Sequence, residues 1–412
     1  MSCQLHREKL KEALPDKSLV ISYAGIPVHS NEDDAYELSV NSQYYYLTGM
    51  EQENTALMIL KCGSVQTETM FIEEADPLAE RWTGKMPTKE EVTERTGVKD
   101  VRYIDSMDRA LLRILSRFDI EYVFFDLSPG SEEQPDYNFA KACAFQNRYP
   151  SVRMQDLRKI LIPIREVKDT EEIDAMRKAV EITKNGLEYV LTKLKPGMME
   201  YQVQADFEYS CKVQGAKKQA FPTIAGSGLN GCMMHYMTNH CEVKDGSLIL
   251  LDLGAKYENY CSDITRTYPA NGKYSPRQRE IYGIVLKANE AVRAAARPGV
   301  TLKELNEIAK EVLAEGLIGL GLIKDAEEVG KYYMHGVSHP IGIDCHDVCF
   351  DGDQLRPGFV ISDEPGLYID EEEIGIRIED DLLITEDGCE VLSAGIMKDP
   401  DEIEAFMAKN RG

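Results

Sequence analysis

Tryptophan occurs once in this 412-residue chain, at position 82, and histidine only seven times. A site that needs imidazole therefore has few candidates. Positive charge is also scarce: 47 Lys and Arg stand against 71 Asp and Glu, a formal net charge of −24. A surface of that sign repels phosphate backbones and anionic lipid, so neither nucleic acid nor membrane is expected as a partner. No stretch approaches 18 continuous apolar residues, and residues 1–9 hold no apolar run of the kind that directs export. A cytoplasmic location is expected. The ten cysteines follow no framework spacing and read as reduced, mostly buried thiols. Cys345 and Cys349 flank His346, but their spacing fits no common zinc module and a second Cys/His pair is missing.

The length calls for two domains. Up to about residue 160, short β-prone runs (Leu19 to Tyr23, Tyr44 to Leu47, Ala56 to Leu60, Thr69 to Ile72, Tyr122 to Phe125) alternate with helical patterns. One of these patterns runs from Ser106 to Phe118 and carries Met107, Ala110, Leu111, Ile114 and Leu115 at helical spacing. This predicts an α/β domain with a mixed sheet. His29 and Glu32-Asp33-Asp34 read as a solvated loop. Trp82 reads either as core or as an interface anchor. Residues 158–168, interrupted by Pro163, read as the connection. The division is therefore an N-terminal domain at 1–160, a linker at 161–168 and a second domain at 169–412.

Asp169-Thr-Glu-Glu172 opens a helix whose apolar stripe includes Met176, Val180, Leu187 and Leu191; another helix is predicted over residues 199–213. The pattern returns downstream. Ser275-Pro276 starts one helix, Arg297-Pro-Gly299 ends it, and Thr301-x-x-Glu304 starts the next with a capping box. A helix, a basic-Pro-Gly turn and a helix thus occur twice, a faint internal duplication.

Between these halves lies Leu248-Ile-Leu-Leu-Asp252-Leu-Gly-Ala-Lys-Tyr-Glu-Asn-Tyr-Cys-Ser-Asp263-Ile-Thr-Arg-Thr267, two β-prone runs around a polar centre. It reads as a hairpin. With the turn centred on Tyr257-Glu258, Asp252 and Asp263 face each other with Cβ atoms roughly 5 Å apart, and like charges so placed repel. A hard divalent cation between them would relieve that repulsion. An exposed hairpin with two solvated aspartates is the alternative.

Three later segments supply further donors: His335-Gly-Val-Ser-His339-Pro-Ile-Gly-Ile-Asp-Cys-His346, Val360-Ile-Ser-Asp-Glu364, and Ile374-Gly-Ile-Arg377-Ile-Glu379-Asp-Asp. By strand parity, Asp363 points away from Glu364, and Arg377 shares a face with Glu379 while Ile374, Ile376 and Ile378 face the core. Arg377 reads as an orienting residue behind a metal carboxylate, or as part of a surface strand of alternating charge.

The order and spacing of Asp252, Asp263, His339, Glu364 and Glu379 resemble the pita-bread metallopeptidases. The closer likeness is to the proline-specific branch, aminopeptidase P and prolidase, and it covers nearly the whole chain. The resemblance implies an α+β catalytic domain of pseudo-two-fold symmetry behind the α/β domain. It implies Asp252 as a ligand of one metal, His339 and Glu364 as ligands of the other, and Asp263 and Glu379 bridging the pair. An oxygen-rich set favours Mn²⁺. It further implies amide hydrolysis by a metal-bridging hydroxide, with Glu364 as general base and then acid, and His235, His346 and His335 as pocket histidines. His240 and His6 match no motif and read as structural.

Ser-His339-Pro, Gly226-Ser-Gly-Leu-Asn-Gly-Cys232 and the N-terminal domain look closer to aminopeptidase P, which removes the residue before a proline from peptides. Prolidase, acting on Xaa-Pro dipeptides and commonly carrying Gly-His-Phe here, is the near alternative. Methionine aminopeptidase fits less well. A pita-bread protein that binds peptides without catalysis is the alternative from another class, and such relatives usually lose metal ligands. Asp363 departs from the family, where an apolar or small residue is more usual. A homodimer or homotetramer is expected.

Overall fold

A computed structural model describes residues 3–128, 130 and 136–410. The chain divides into two compact units, Met1–Ile164 and Arg165–Gly412.

The first unit is an α/β domain built on a six-stranded mixed sheet. Its spatial order is Asp100–Tyr103, Val65–Ile72, Ala56–Cys62, Ser18–Tyr23, Tyr122–Phe125, Arg153–Asp156. The central pairs are antiparallel and the outer ones parallel. Leu19, Ile21, Met58 and Phe71 pack on Met107 and Leu111 of the helix Met107–Arg117 and on Ala142 and Phe145 of Tyr137–Arg148.

Two sequence expectations change here. Tyr44 to Leu47 is not a strand but part of the helix Ser42–Thr48. Asn41 caps it by accepting the Tyr44 N–H, and Gly49, at φ +66°, ends it by donating to the Tyr45 carbonyl. Two caps bracketing seven residues outweigh the β propensity of three tyrosines. Within residues 158–168, Arg158–Arg165 is helical and holds Pro163 inside. Trp82 is 86% exposed, which removes the core reading. His6 is structural: it is buried, its ring stacks on Tyr46 at 3.8 Å and Nδ1 meets the Tyr46 carbonyl.

The second unit has the pita-bread fold. The helix Thr170–Lys193 pairs with Glu200–Val213, and Pro276–Ala295 pairs with Leu302–Gly319. Asp169, Ser275 and Thr301 cap three of them, each with a reciprocal capping box. The helices back two three-stranded sheets of longer strands, a third of short strands (Lys218–Gln219, Ala255–Tyr257 and Tyr260–Cys261) and a two-stranded one. The first sheet joins Ile224–Ser227, Leu248–Leu253 and Ile264–Pro269; the second joins Val360–Asp363, Asp380–Ile384 and Cys389–Val391. The ribbon pairs Gly366–Ile369 with Ile374–Arg377. One core runs through both halves, with Leu187, Phe207, Leu251, Ile264, Tyr282, Leu313, Ile376 and Ile378 packed together. All ten cysteines are free thiols; four are buried, five partly buried, and Cys241 is exposed, so "mostly buried" overstates their burial. No helix among the described residues is long and apolar enough to cross a membrane.

Candidate metal centre

The hairpin sets the geometry. Its tip is Glu258-Asn259, at φ +46° and +61°, between the facing residues Tyr257 and Tyr260. Two residues of positive φ form the turn whose twist matches paired strands. The tip therefore lies one residue beyond the expected Tyr257-Glu258. Asp252 faces Thr265 rather than Asp263. Moving the turn by one residue moves the partner by two, so face parity is kept and Asp263 lies diagonally across from Asp252 on the same side.

A cavity of about 590 Å³ is lined by Asp252, Asp263, His339, Glu364 and Glu379, together with His235, His335, His346 and Arg377. Every candidate site residue thus meets in one pocket. Donor atoms of Asp263, His339 and Glu379 lie within 4.8 Å of one another. His339 Nε2 stands 3.4 Å from both Asp263 Oδ2 and Glu364 Oε1. Its Nδ1 is 3.1 Å from the Pro340 carbonyl, which can only accept. That bond places the proton on Nδ1 and turns the Nε2 lone pair into the pocket, the tautomer a metal ligand needs.

Without a cation the cluster is under electrostatic stress. Burial lifts the Asp252 carboxyl to about 6, with Arg377 opposing and Asp263 adding to the rise. Burial lifts Glu364 to about 7 against the pull of His339 and Arg377. Glu379 is pushed well above the carboxylate range by burial and by Asp263. Burial would lower His339, yet Asp263 and Glu364 raise it to about 9. Asp252 Oδ1 is buried and has no hydrogen-bond partner. Four crowded carboxylates, an orphaned oxygen and an oriented imidazole fit divalent cations.

Arg377 is buried, which excludes a surface strand of alternating charge. It donates to Asp252 Oδ2 at 2.5 Å, to Thr265 Oγ1 at 3.0 Å and to the Tyr368 hydroxyl at 2.8 Å. Thr265 in turn donates to Glu379 Oε2 at 2.6 Å. Tyr368 and His335 Nε2 are 2.8 Å apart, and His335 Nδ1 lies 2.7 Å from the Gly336 carbonyl. The carbonyl fixes the proton on Nδ1, so Tyr368 donates to Nε2. Burial, with Arg377, lowers His335 to about 4 and keeps it neutral. His346 lies against His339, ring centres 4.1 Å apart and tilted by 46°; burial and His339 lower its pKa. His240 is exposed and lies outside this cavity's lining.

Several supporting residues were not singled out from sequence. Both oxygens of buried Asp381 lie 3.3 Å from the Asp263 backbone N–H. Arg266, fully buried, donates to the Glu379 carbonyl and to Asp380. Ser362 takes the His339 backbone N–H and donates to Glu364 Oε1. Asp363 lies behind the site, buried, neither of its oxygens hydrogen-bonded. The repeated acids in Glu379-Asp-Asp381 were a visible signal; the distant partners were not. Cys345 also enters the pocket, its thiol donating to Asp263 Oδ2 at 2.8 Å.

Residues 174–386 match the metallopeptidase family M24, and residues 3–124 match the aminopeptidase P N-terminal domain. The chain belongs to metallopeptidase family M24. It is 34% identical to the Xaa-Pro aminopeptidase of Escherichia coli K12, over 99% of this chain and 98% of that one. Among solved structures, proline aminopeptidase P II from Yersinia pestis superposes with a TM-score of 0.90 at 33% identity, covering 99% of both chains. Zn-substituted E. coli aminopeptidase P in complex with product gives 0.91 at 33% identity, covering all of this chain and 98% of that one. The protein is a metallo-aminopeptidase.

Proposed function

We propose that this chain is an Xaa-Pro aminopeptidase: it hydrolyses the bond between an N-terminal residue and a following proline in peptides. The observation that carries the reading is the convergence of Asp252, Asp263, His339, Glu364 and Glu379 on one cavity, with His339 Nε2 aimed between two carboxylates. The names of the relatives point the same way. These five side chains would hold two divalent ions, Mn²⁺ by donor chemistry: Asp252 on one, His339 and Glu364 on the other, Asp263 and Glu379 shared. When bound, the ions supply the acidity of the attacking water and polarise the scissile carbonyl.

The chain's own groups do the rest. Glu364 lines the cavity with Oε1 held by Ser362, and Oε2 takes the proton of the attacking water. It then delivers that proton to the departing proline nitrogen, as a base that becomes an acid. His235 and His346 line the cavity and donate to the carbonyl oxygen as negative charge develops there. His335, neutral and engaged at both nitrogens, orients Tyr368 and walls the pocket. Arg377 holds Asp252 and Thr265 in place. A peptide bond to proline lacks an N–H, and proline's fixed φ demands a shaped site, so selectivity is a matter of fit.

A cytoplasmic homodimer or homotetramer completes the reading; the exposed Trp82 offers an apolar surface for such contacts. The deciding experiment reloads metal-depleted protein with Mn²⁺ and offers an Xaa-Pro dipeptide and an Xaa-Pro-Yaa tripeptide side by side. Faster hydrolysis of the tripeptide is expected. Preference for the dipeptide makes the chain a prolidase, and neither turnover nor metal uptake makes it a peptide-binding module.

A further inference from the structure

We infer that Glu200, remote from the proposed ligands in sequence and unpaired with any cation in the bonds described, is a positioning residue for His235. The inference rests on the reading of His235 as a pocket group. Glu200 is the first residue of the helix Glu200–Val213 and is fully buried. Its carboxylate accepts five hydrogen bonds, all from the segment 227–241. Oε1 takes the Ser227 N–H and hydroxyl, each at 2.8 Å, and Asn230 Nδ2 at 3.0 Å. Oε2 takes the Tyr236 hydroxyl at 2.8 Å and the Cys241 N–H at 2.9 Å. Five donors to one charged acceptor, at the positive end of a helix, replace the water a buried carboxylate loses.

His235 adjoins one of these donors. Tyr236 also accepts from Asn230 Nδ2 at 3.1 Å, which ties the two sides of the segment together. Four residues along the helix, Gln204 accepts from Asn239 Nδ2 at 2.9 Å. Buried Asn239, at φ +47°, also gives to the Thr223 carbonyl and takes the Ala225 N–H. Glu200 and Gln204 lie on one helical face. They clamp a segment in which Met233, His235, Met237, Thr238 and His240 are exposed, while Met234 and Tyr236 pack on Ile224, Cys232, Leu250 and Tyr368. Beyond those two side chains the segment has little apolar packing, so its geometry depends largely on these polar ties.

The test uses metal-loaded protein and four chains: wild type, Glu200→Gln, His235→Ala and the double variant. In Glu200→Gln the amide NH₂ meets the Cys241 N–H or displaces the Ser227 donors, and one charge-assisted set is lost. Metal content and the thermal midpoint should change little. Backbone amide exchange across 233–241 should accelerate about tenfold or more, while protection in Leu248–Leu253 is kept. On an Xaa-Pro-Yaa peptide, kcat should fall about tenfold with KM little altered, and Glu200→Gln should add almost nothing in the His235→Ala background. Losses that multiply in the double variant, or unchanged exchange across 233–241, overturn the inference. If Glu200→Gln fails to fold, Tyr236→Phe, which removes one donor, must show the same directions at smaller size. Wild type that cleaves no Xaa-Pro peptide defeats the functional reading alone, because the exchange measurement still decides whether Glu200 fixes the segment.

Discussion

Arg377 shows how one side chain can serve several carboxylates. Its guanidinium reaches Asp252, Thr265 and Tyr368 at once, and Thr265 passes the constraint to Glu379. A lysine keeps the charge but not the planar fork, so it can hold one of the three partners. Arg377→Lys is expected to keep the fold and to lower Mn²⁺ affinity or kcat/KM about 10–100-fold, the range for partners behind metal ligands. Calorimetric metal titration and steady-state kinetics read the two quantities separately. Wild-type values in both would reduce Arg377 to packing. Glu364→Gln tests the proton path: kcat should fall by about 100-fold or more, since a positioned acid–base group contributes about 10²–10⁴-fold. A loss confined to KM would remove that role. The ligand residues were legible in sequence because strand parity places alternate side chains on one face. Arg266, Asp381 and Glu200 were not, because the partners named above lie 27 to 118 residues away.

At the scale of elements, the segment that carries His339 and His346 has almost no regular structure, and a buried ion cluster fixes its far end. Asp347 pairs with Arg165 and, at 3.1 Å, with Lys168; the cations' side chains are 1% exposed and Asp347's 2%. Burial would raise the Asp347 carboxyl, but Arg165 and Lys168 hold it below its ordinary value. A folded pKa below the unfolded one gives stability that is full above about 3.9 and lost as pH falls through the folded value. Asp347→Asn takes the ion-pair partner from buried Lys168 and one partner from Arg165, which keeps Asp344 at 3.1 Å, and removing one partner of such a cluster costs about 3–5 kcal/mol. Urea unfolding at pH 7 should show that loss, and the difference from wild type should shrink once the pH drops below about 4. A pH-independent difference would point to packing instead. The same cluster explains Gly342, where an added Cβ would sit 2.1 Å from Asp347 Oδ2. Capping boxes at Asp169, Ser275 and Thr301 made the paired helices readable in the sequence, because each is a local signal of four residues. The Tyr44 to Leu47 run misled because its caps, Asn41 and Gly49, lie outside it. The hairpin register slipped because propensity does not reveal that Glu258 and Asn259 both take positive φ.

For the whole molecule, the crowded acids tie stability to metal and to pH. In metal-free protein the pKa values of Glu364, near 7, and Asp252, near 6, stand above the ordinary carboxylate values. The folded state then binds more protons than the unfolded chain, so stability is full below the unfolded pKa and declines as pH rises through the folded values. His339, raised to about 9, acts in the same direction. His335 and His346 are lowered and act the opposite way, but only below their unfolded value of about 6.5. The clean window is therefore pH 7 to 8.5. There each proton taken up on folding costs about 1.4 kcal/mol per pH unit, and each kcal/mol moves the midpoint about 2–4 °C in a unit of this size. Metal-free protein should melt progressively lower from pH 7 to 8.5. Saturating Mn²⁺ should raise the midpoint, through a stability gain of about 2.7 kcal/mol at one hundred times Kd. It should also flatten or reverse the slope, because cations bind the deprotonated ligands. Calorimetric scans of both forms across that window test the coupling. Parallel slopes with and without Mn²⁺ would show that these carboxylates do not share their pocket with cations.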